Sequence, residues 1–193
     1  YLGECRERGM PVLAPDINES QLRFVVEPGK GVRFGLTAIK NVGEGAIASM
    51  LDVRKTLGRI RSLGTLCEHI DLRLVNKRVF ESLIKAGAFD SLATDPVLPP
   101  PMLRPRLLAA VDAACEQGAR VQRDKSEGQA QLFGAAEESL STGDGSLGDG
   151  VKAVSLPEAA PWSETEQLAY EKETLGLYWS GHPADRFASA LKD

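Results

Sequence analysis

Ile39-Lys40-Asn41-Val42-Gly43-Glu44-Gly45-Ala46-Ile47 sets two glycines, one residue apart, where an amphipathic stretch begins. Glycine carries no Cβ, so a ligand can come close to the backbone there. The first N–H groups of a helix lack intrahelical acceptors and lie at its positive end, which suits them to hold an anion. Lys40 adds a charge beside them. The glycines alone fit a tight turn without any ligand at least as well.

Charge distribution separates these readings. Residues 30–87 carry 11 basic and 5 acidic side chains, net +6, while 1–29 and 88–193 carry net −2 and −8. A basic middle within a chain of net charge −4 fits a local anionic partner such as a phosphate backbone and, on charge alone, fits a solvated basic helix face equally well. Together with the glycines it points to the hairpin of a helix-hairpin-helix element, which grips duplex DNA through phosphates rather than bases. Lys40, Gly43 and Gly45 are the leading candidate contacts, followed by Asn41 and by Glu44, whose backbone N–H would serve because its carboxylate repels phosphate. Lys77, Arg78 and Lys85 flank a later stretch ending in Ala86-Gly87-Ala88-Phe89. That stretch reads equally as a second, less regular copy or as an ordinary helix with a basic outer face.

Gln129-Ala130-Gln131-Leu132-Phe133 carries a different chemistry. An exposed Leu-Phe pair is a liability unless a partner covers it. Gln129 can make directional hydrogen bonds while Leu132 and Phe133 enter an apolar pocket. Burying each of the two is worth roughly 1.5–3 kcal/mol, enough for a weak peptide contact made useful by tethering. On the residues alone, folding of Leu132 and Phe133 back onto the chain's own core is the favoured reading.

Metal-dependent group transfer needs clustered carboxylates on rigid elements. The most suggestive acids, Asp144 and Asp149, lie among glycines. Cys5, Cys67 and Cys115 are far apart, and His69 and His182 lack clustered partners, so no zinc site is expected. There is no phosphate-binding P-loop, nucleophile elbow or dinucleotide fingerprint. No catalytic residue and no metal ligand is therefore assigned, and no cofactor is expected on this chain. No apolar run approaches the ~20 residues that span a membrane, and no signal peptide is visible. Reduced cysteines and a cytoplasmic setting follow as expectations. A chain that opens on Tyr1, mid-element, is expected to be a piece of a longer polypeptide.

Several elements must position these residues. Leu22, Phe24 and Val26, then Val32, Phe34 and Leu36, alternate around Pro28-Gly29-Lys30-Gly31 and predict a β-hairpin over 22–36. Pro11, Pro15 and Asn18 predict an extended entry. Ile47, Met50 and Leu51 predict a helix over 44–57 that stops at Gly58. Thr65 and Glu68 fit a capping box for a short helix starting at Thr65. Val79, Phe80, Leu83 and Ile84 predict a helix from Asn76 to Lys85. Pro96, Pro99, Pro100, Pro101 and Pro105 are expected to interrupt the chain before a helix over 107–123. Residues 134–160, rich in Gly, Ser, Asp and Glu, read as a flexible linker. Order resumes near Trp162. The fold class is mainly α with a small N-terminal β-hairpin, a helix-hairpin-helix DNA-binding domain being followed by a flexible linker.

Longer blocks carry a family resemblance. Pro15-Asp16-Ile17-Asn18-Glu19-Ser20, then Val32 through Gly45, resembles the end of the fingers region and the start of the helix-hairpin-helix domain of bacterial DNA polymerase III alpha subunits. Asn76-Lys77-Arg78-Val79 with Leu83 to Asp90 resembles the next block of that family. Gln129 to Phe133 resembles its internal sliding-clamp motif, with Gln131 departing from the small or acidic residue often found there. Glu173 to Tyr178 with Gly181-His182-Pro183 resembles the approach to its oligonucleotide-binding barrel.

The resemblance implies an order of parts: the end of the fingers over 1–36, the DNA-binding domain over 37–127, the clamp motif (Gln129, Gln131, Leu132, Phe133) and linker over 128–160, and a helical lead-in to the barrel over 161–193. It implies a parent enzyme performing DNA-directed DNA synthesis with Mg2+, its palm lying outside this chain. Primer–template duplex, the beta sliding clamp and other polymerase III holoenzyme subunits are the implied partners, with no membrane involved. The alternatives are a non-catalytic helix-hairpin-helix DNA-binding adaptor and an error-prone polymerase paralogue.

Overall fold

A computed structural model describes residues 4, 5, 8–92, 97–134, 156–181 and 183, with 128–134 described as backbone only. Three short strands come first: β1 (Val12–Leu13), β2 (Val25–Glu27) and β3 (Gly31–Arg33). β2 and β3 form the expected hairpin, pairing Val26 with Val32. β1 adds a parallel partner on the other side of β3, giving the order β1-β3-β2. The hairpin is shorter than its alternation suggests because Leu36 leaves the sheet for a 3-10 turn, Leu36–Ala38.

Five helices follow among the described residues: α1 (Glu44–Leu57), α2 (Leu63–His69), α3 (Lys77–Lys85), α4 (Pro100–Gly134) and α5 (Glu164–Leu175). Gly58 ends α1 at a φ of 71°, a conformation that L side chains resist. The cap of α2 is Ser62, whose hydroxyl accepts from the Thr65 N–H; Thr65 is the third residue of that helix, not its start. Asn76 caps α3 through the Val79 N–H. Ser163 and Glu166 form a reciprocal capping box on α5.

The prolines do not interrupt the chain as expected. Pro100 and Pro101 open α4, where a missing N–H leaves no intrahelical bond unmade, and Pro105 lies inside it. An internal proline deprives the carbonyl four residues earlier of its donor. Here that carbonyl belongs to Pro101, and it accepts instead from the Trp162 N–H at 2.9 Å. The residues 134–155 expected to form most of a linker lie outside the described residues, apart from the helical backbone of Gly134.

One core unites these parts. Ile17, Phe34, Leu36, Ile47, Met50, Phe80, Leu83 and Phe89 are buried together with Leu103, Leu107 and Val111 of α4 and Leu175 of α5. α2 lies against α4 so closely that a Cβ at Gly118 would run into the Cys67 carbonyl. Gln122 then caps the last carbonyls of α2, donating to Cys67 O at 2.8 Å and Ile70 O at 2.9 Å.

Among the described residues the buried charged side chains are Arg104 and Glu171, and they meet each other. Arg104 Nε and Nη2 donate to Asp90 at 2.9 and 2.6 Å, and Nη1 donates to Glu171 at 3.1 Å. The side chains of Arg104 and Glu171 are 5% and 0% exposed. Burial pushes the Asp90 carboxyl above its ordinary value against the opposing pull of Arg104. Glu171 Oε2 also accepts from the Trp179 and Ser180 N–H groups, both at 2.9 Å. Gly87, with φ at 80°, makes room: a Cβ there would lie 2.5 Å from Arg104 Nη2. Arg104→Met is expected to lower stability by about 3–5 kcal/mol, since it strands two carboxylates in the core. Urea unfolding followed by circular dichroism measures the loss, and Lys77→Ala, which breaks only an exposed pair with Asp112, should move the midpoint far less.

Candidate nucleic-acid interface

Between the 3-10 turn and α1 the chain makes a tight exposed hairpin. Ile39 and Val42 point into the core and anchor it, while Lys40, Asn41, Gly43, Glu44 and Gly45 stay exposed. Asn41 takes the left-handed conformation, φ 65°, the one described non-glycine residue to do so. Asparagine tolerates that region better than most residues because its short amide bonds locally. Its Nδ2 donates to Ser82 Oγ of α3 at 3.3 Å. On the other side the Lys40 N–H donates to Thr174 O of α5 at 2.9 Å. The hairpin is thus tied to two helices that are distant in sequence.

α1 starts at Gly43 without a side-chain cap. Ile47 N–H returns to Gly43 O, and the N–H groups of Glu44, Gly45 and Ala46 precede the first intrahelical donor. They lie in the positive field of the helix end, four to six positions after Lys40 in the chain. Neither glycine is required by the backbone. Gly43 has φ −77° and ψ 155°, and a Cβ built on it would meet nothing within 4 Å. A Cβ on Gly45 would reach only Leu74 Cδ2, at 4.0 Å, ordinary contact. The tight turn is made by Asn41, so the glycines are left without an intramolecular reason. Bare backbone facing solvent at a helix start can receive an anion.

The other basic candidates fall into two groups. Lys77 and Arg78 lie exposed on the first turn of α3. Lys77 pairs with Asp112 at 2.7 Å, which raises its pKa, whereas Arg78 is in no ion pair among the described residues. Lys85 lies at the other end of α3, about 12 Å along the axis. It is 19% exposed, paired with Glu173 at 3.1 Å and seated over the Tyr170 ring. That arrangement joins α3 to α5. A helix–loop–helix pair does occur here, but it is α2 and α3 joined through 70–76, upstream of Gly87. Its loop is fastened to α1, with Asp71 N–H donating to Ser49 Oγ at 3.2 Å. Its tip carries Arg73, in a bidentate pair with Asp71 that holds the aspartate below its usual range, and Leu74, which touches the position above Gly45.

The backbone of 129–133 is the end of α4, where the expected helix had stopped at 123. The side chains of Gln129, Gln131, Leu132 and Phe133 lie outside the described residues.

A family model described as a helix-hairpin-helix motif matches residues 9–96. The DNA polymerase III subunit alpha of Vibrio cholerae is 37% identical over 188 residues, 97% of this chain and 15% of its own length. That of Mycobacterium tuberculosis is 37% identical over 191 residues, 99% of this chain and again 15% of its own. The Neisseria meningitidis protein is 35% identical over 192 residues, all of this chain and 15% of its own. This chain is homologous to a segment of the DNA polymerase III alpha subunit. The chain spans about 15% of the length of the relatives it matches. Within that segment the match runs through α5, the helix that supports the Lys40 N–H.

Reading the sequence alone missed Ser82 and Thr174, because one acts through its hydroxyl inside an apolar helix face and the other through its main chain. Asn41→Val is expected to cost about 1–2 kcal/mol, the penalty of placing a β-branched residue in the left-handed region, with Asn41→Gly retaining more stability. Urea unfolding of the two variants side by side reads the difference.

Proposed function

We propose that this chain holds the primer–template duplex of a replicative DNA polymerase by its sugar–phosphate backbone. The observation that carries the reading is the uncapped start of α1, where Gly43 and Gly45 expose main-chain N–H groups that nothing in the fold requires to be bare. Phosphate oxygens would accept from the N–H groups of Glu44, Gly45 and Ala46, with Lys40 as a counter-charge and Asn41 beside it. Arg78 and Lys77 extend the positive surface; Lys85 supports it through α5. Such contacts carry no base information, which suits an enzyme that must slide along every sequence it copies.

The parent protein is proposed to carry out DNA-directed DNA synthesis in chromosome replication, in the cytoplasm. The Mg2+ of such a reaction is proposed to be held by the palm of the parent, outside this chain. No described helix is long and apolar enough to cross a membrane. Gln129, Gln131, Leu132 and Phe133 are proposed to bind the beta sliding clamp, with Leu132 and Phe133 entering an apolar pocket. Tethering a weak contact of this kind to the DNA site would raise the effective concentration of each for the other. Contacts with other holoenzyme subunits belong to the same proposal.

Fluorescence anisotropy with two duplexes of unrelated sequence tests the DNA reading. Affinities should be similar for both and fall linearly, on logarithmic axes, with salt. Lys40→Glu should weaken both equally and reduce the slope by about 0.9, one phosphate contact. Strong sequence selectivity or salt-independent binding contradicts it. For the clamp, Leu132→Ala with Phe133→Ala should abolish binding in a titration with purified clamp and leave DNA affinity unchanged. A sharp fall in melting temperature instead would assign both residues to this chain's own core.

A further inference from the structure

The loop between α2 and α3 places one apolar side chain where the proposed DNA site is otherwise polar. Leu74 is 50% exposed. Among the described residues the other large exposed apolar side chains lie elsewhere: Met10, Phe24, Val25 and Val26 around the sheet, and Val97 before α4. Its Cδ2 is 4.0 Å from where a Gly45 Cβ would be, so it stands against the first turn of α1, next to the N–H groups proposed to take phosphate. The loop is fixed in that position: Leu74 and Val75 N–H both donate to Asp71 O at 3.0 Å, and Asp71 N–H to Ser49. Arg73, 90% exposed, precedes Leu74, and exposed Lys77 and Arg78 follow. A groove of about 550 Å³ runs between α1 and the loop, with Gly45 and Leu74 themselves in its lining beside Ser49, Asp52, His69 and Asp71. Both of its carboxylates are paired, Asp52 with Lys55 and Asp71 with Arg73, each at 2.9 Å.

We propose that Leu74 packs on the deoxyribose of the strand whose phosphate is held at the Gly43–Gly45 hairpin, and thereby makes this site prefer deoxyribose to ribose. This rests on the DNA reading of the hairpin. The C2′ carbon of deoxyribose is apolar and can lie against an isobutyl group. A ribose puts a hydroxyl there, and burying a hydroxyl against methyl groups without a hydrogen-bond partner is unfavourable. The 2′-hydroxyl is also the one group by which a backbone-reading protein tells the two sugars apart. Arg73, Lys77 and Arg78 supply charge to either sugar equally, so the discrimination belongs to Leu74.

The test is anisotropy with the 193-residue chain, a DNA duplex and a hybrid of the same sequence carrying one RNA strand, over a salt series, for wild type, Leu74→Ala, Leu74→Met, Leu74→Ser and Lys40→Ala. Leu74→Ala should bind DNA about threefold to tenfold more weakly, the factor for returning a half-covered isobutyl group to water, with an unchanged salt slope. Leu74→Met should restore binding, and Leu74→Ser should narrow the gap between DNA and hybrid. Lys40→Ala should reduce the slope and leave that gap unchanged. If Lys40→Ala weakens binding and Leu74→Ala does not, the inference is overturned and the DNA reading stands. If neither matters, the DNA reading itself falls. A Leu74→Ala chain that melts early and that Leu74→Met does not rescue makes Leu74 a packing residue and overturns the inference.

Discussion

Arg104 is the group on which the arrangement depends. Its guanidinium joins Asp90, after α3, to Glu171 on α5, and it does so from α4 with almost no exposure to water. Three segments far apart in sequence meet on five fixed donors. Such a cluster is weak evidence for stability, because removing charges from water offsets most of their attraction. Its effect is on geometry. Bonded to both carboxylates, Arg104 ties α5 to α4 in the observed register, and Glu171 also collects the Trp179 and Ser180 N–H groups.

That register reaches the hairpin. Thr174 is three residues past Glu171, and its carbonyl takes the Lys40 N–H. Lys85 reinforces the same joint by pairing with Glu173 and lying over Tyr170. The hairpin therefore owes its position to helix packing on both sides, with Ser82 of α3 holding Asn41. A phosphate-binding backbone must be held still before the ligand arrives, since ordering it on binding would subtract from affinity. The Lys40 to Thr174 and Asn41 to Ser82 bonds supply that hold from two sides.

Elements set by local chemistry were legible in the sequence. α1 and α3 follow from apolar spacing, with Gly58 and Asn76 at their ends. The strand pair around Gly29 follows from alternation. Elements set by distant partners were not. Pro105 sits inside a helix because Trp162, 57 positions later, supplies the donor that Pro101 lacks. Parallel pairing of β1 with β3 has no turn to announce it. Arg104 and Glu171 read as surface charges until each is seen to be the other's partner. Of the candidate site, the glycines and Lys40 were legible as types. That Asn41 makes the turn, leaving the glycines free of that duty, took the dihedral angles.

On the proposed reading, Gly43 and Gly45 are glycine for a ligand and not for the fold. Gly45→Ala separates the two most directly. Alanine in the first turn of α1 meets only ordinary contact with Leu74, and its helix preference over glycine is worth up to about 1 kcal/mol. A melting temperature equal to or above wild type is expected, together with DNA binding weakened at least about tenfold, the loss of one hydrogen bond to a charged oxygen. A Gly45→Ala chain that is as stable as wild type and binds duplex DNA just as tightly would contradict it.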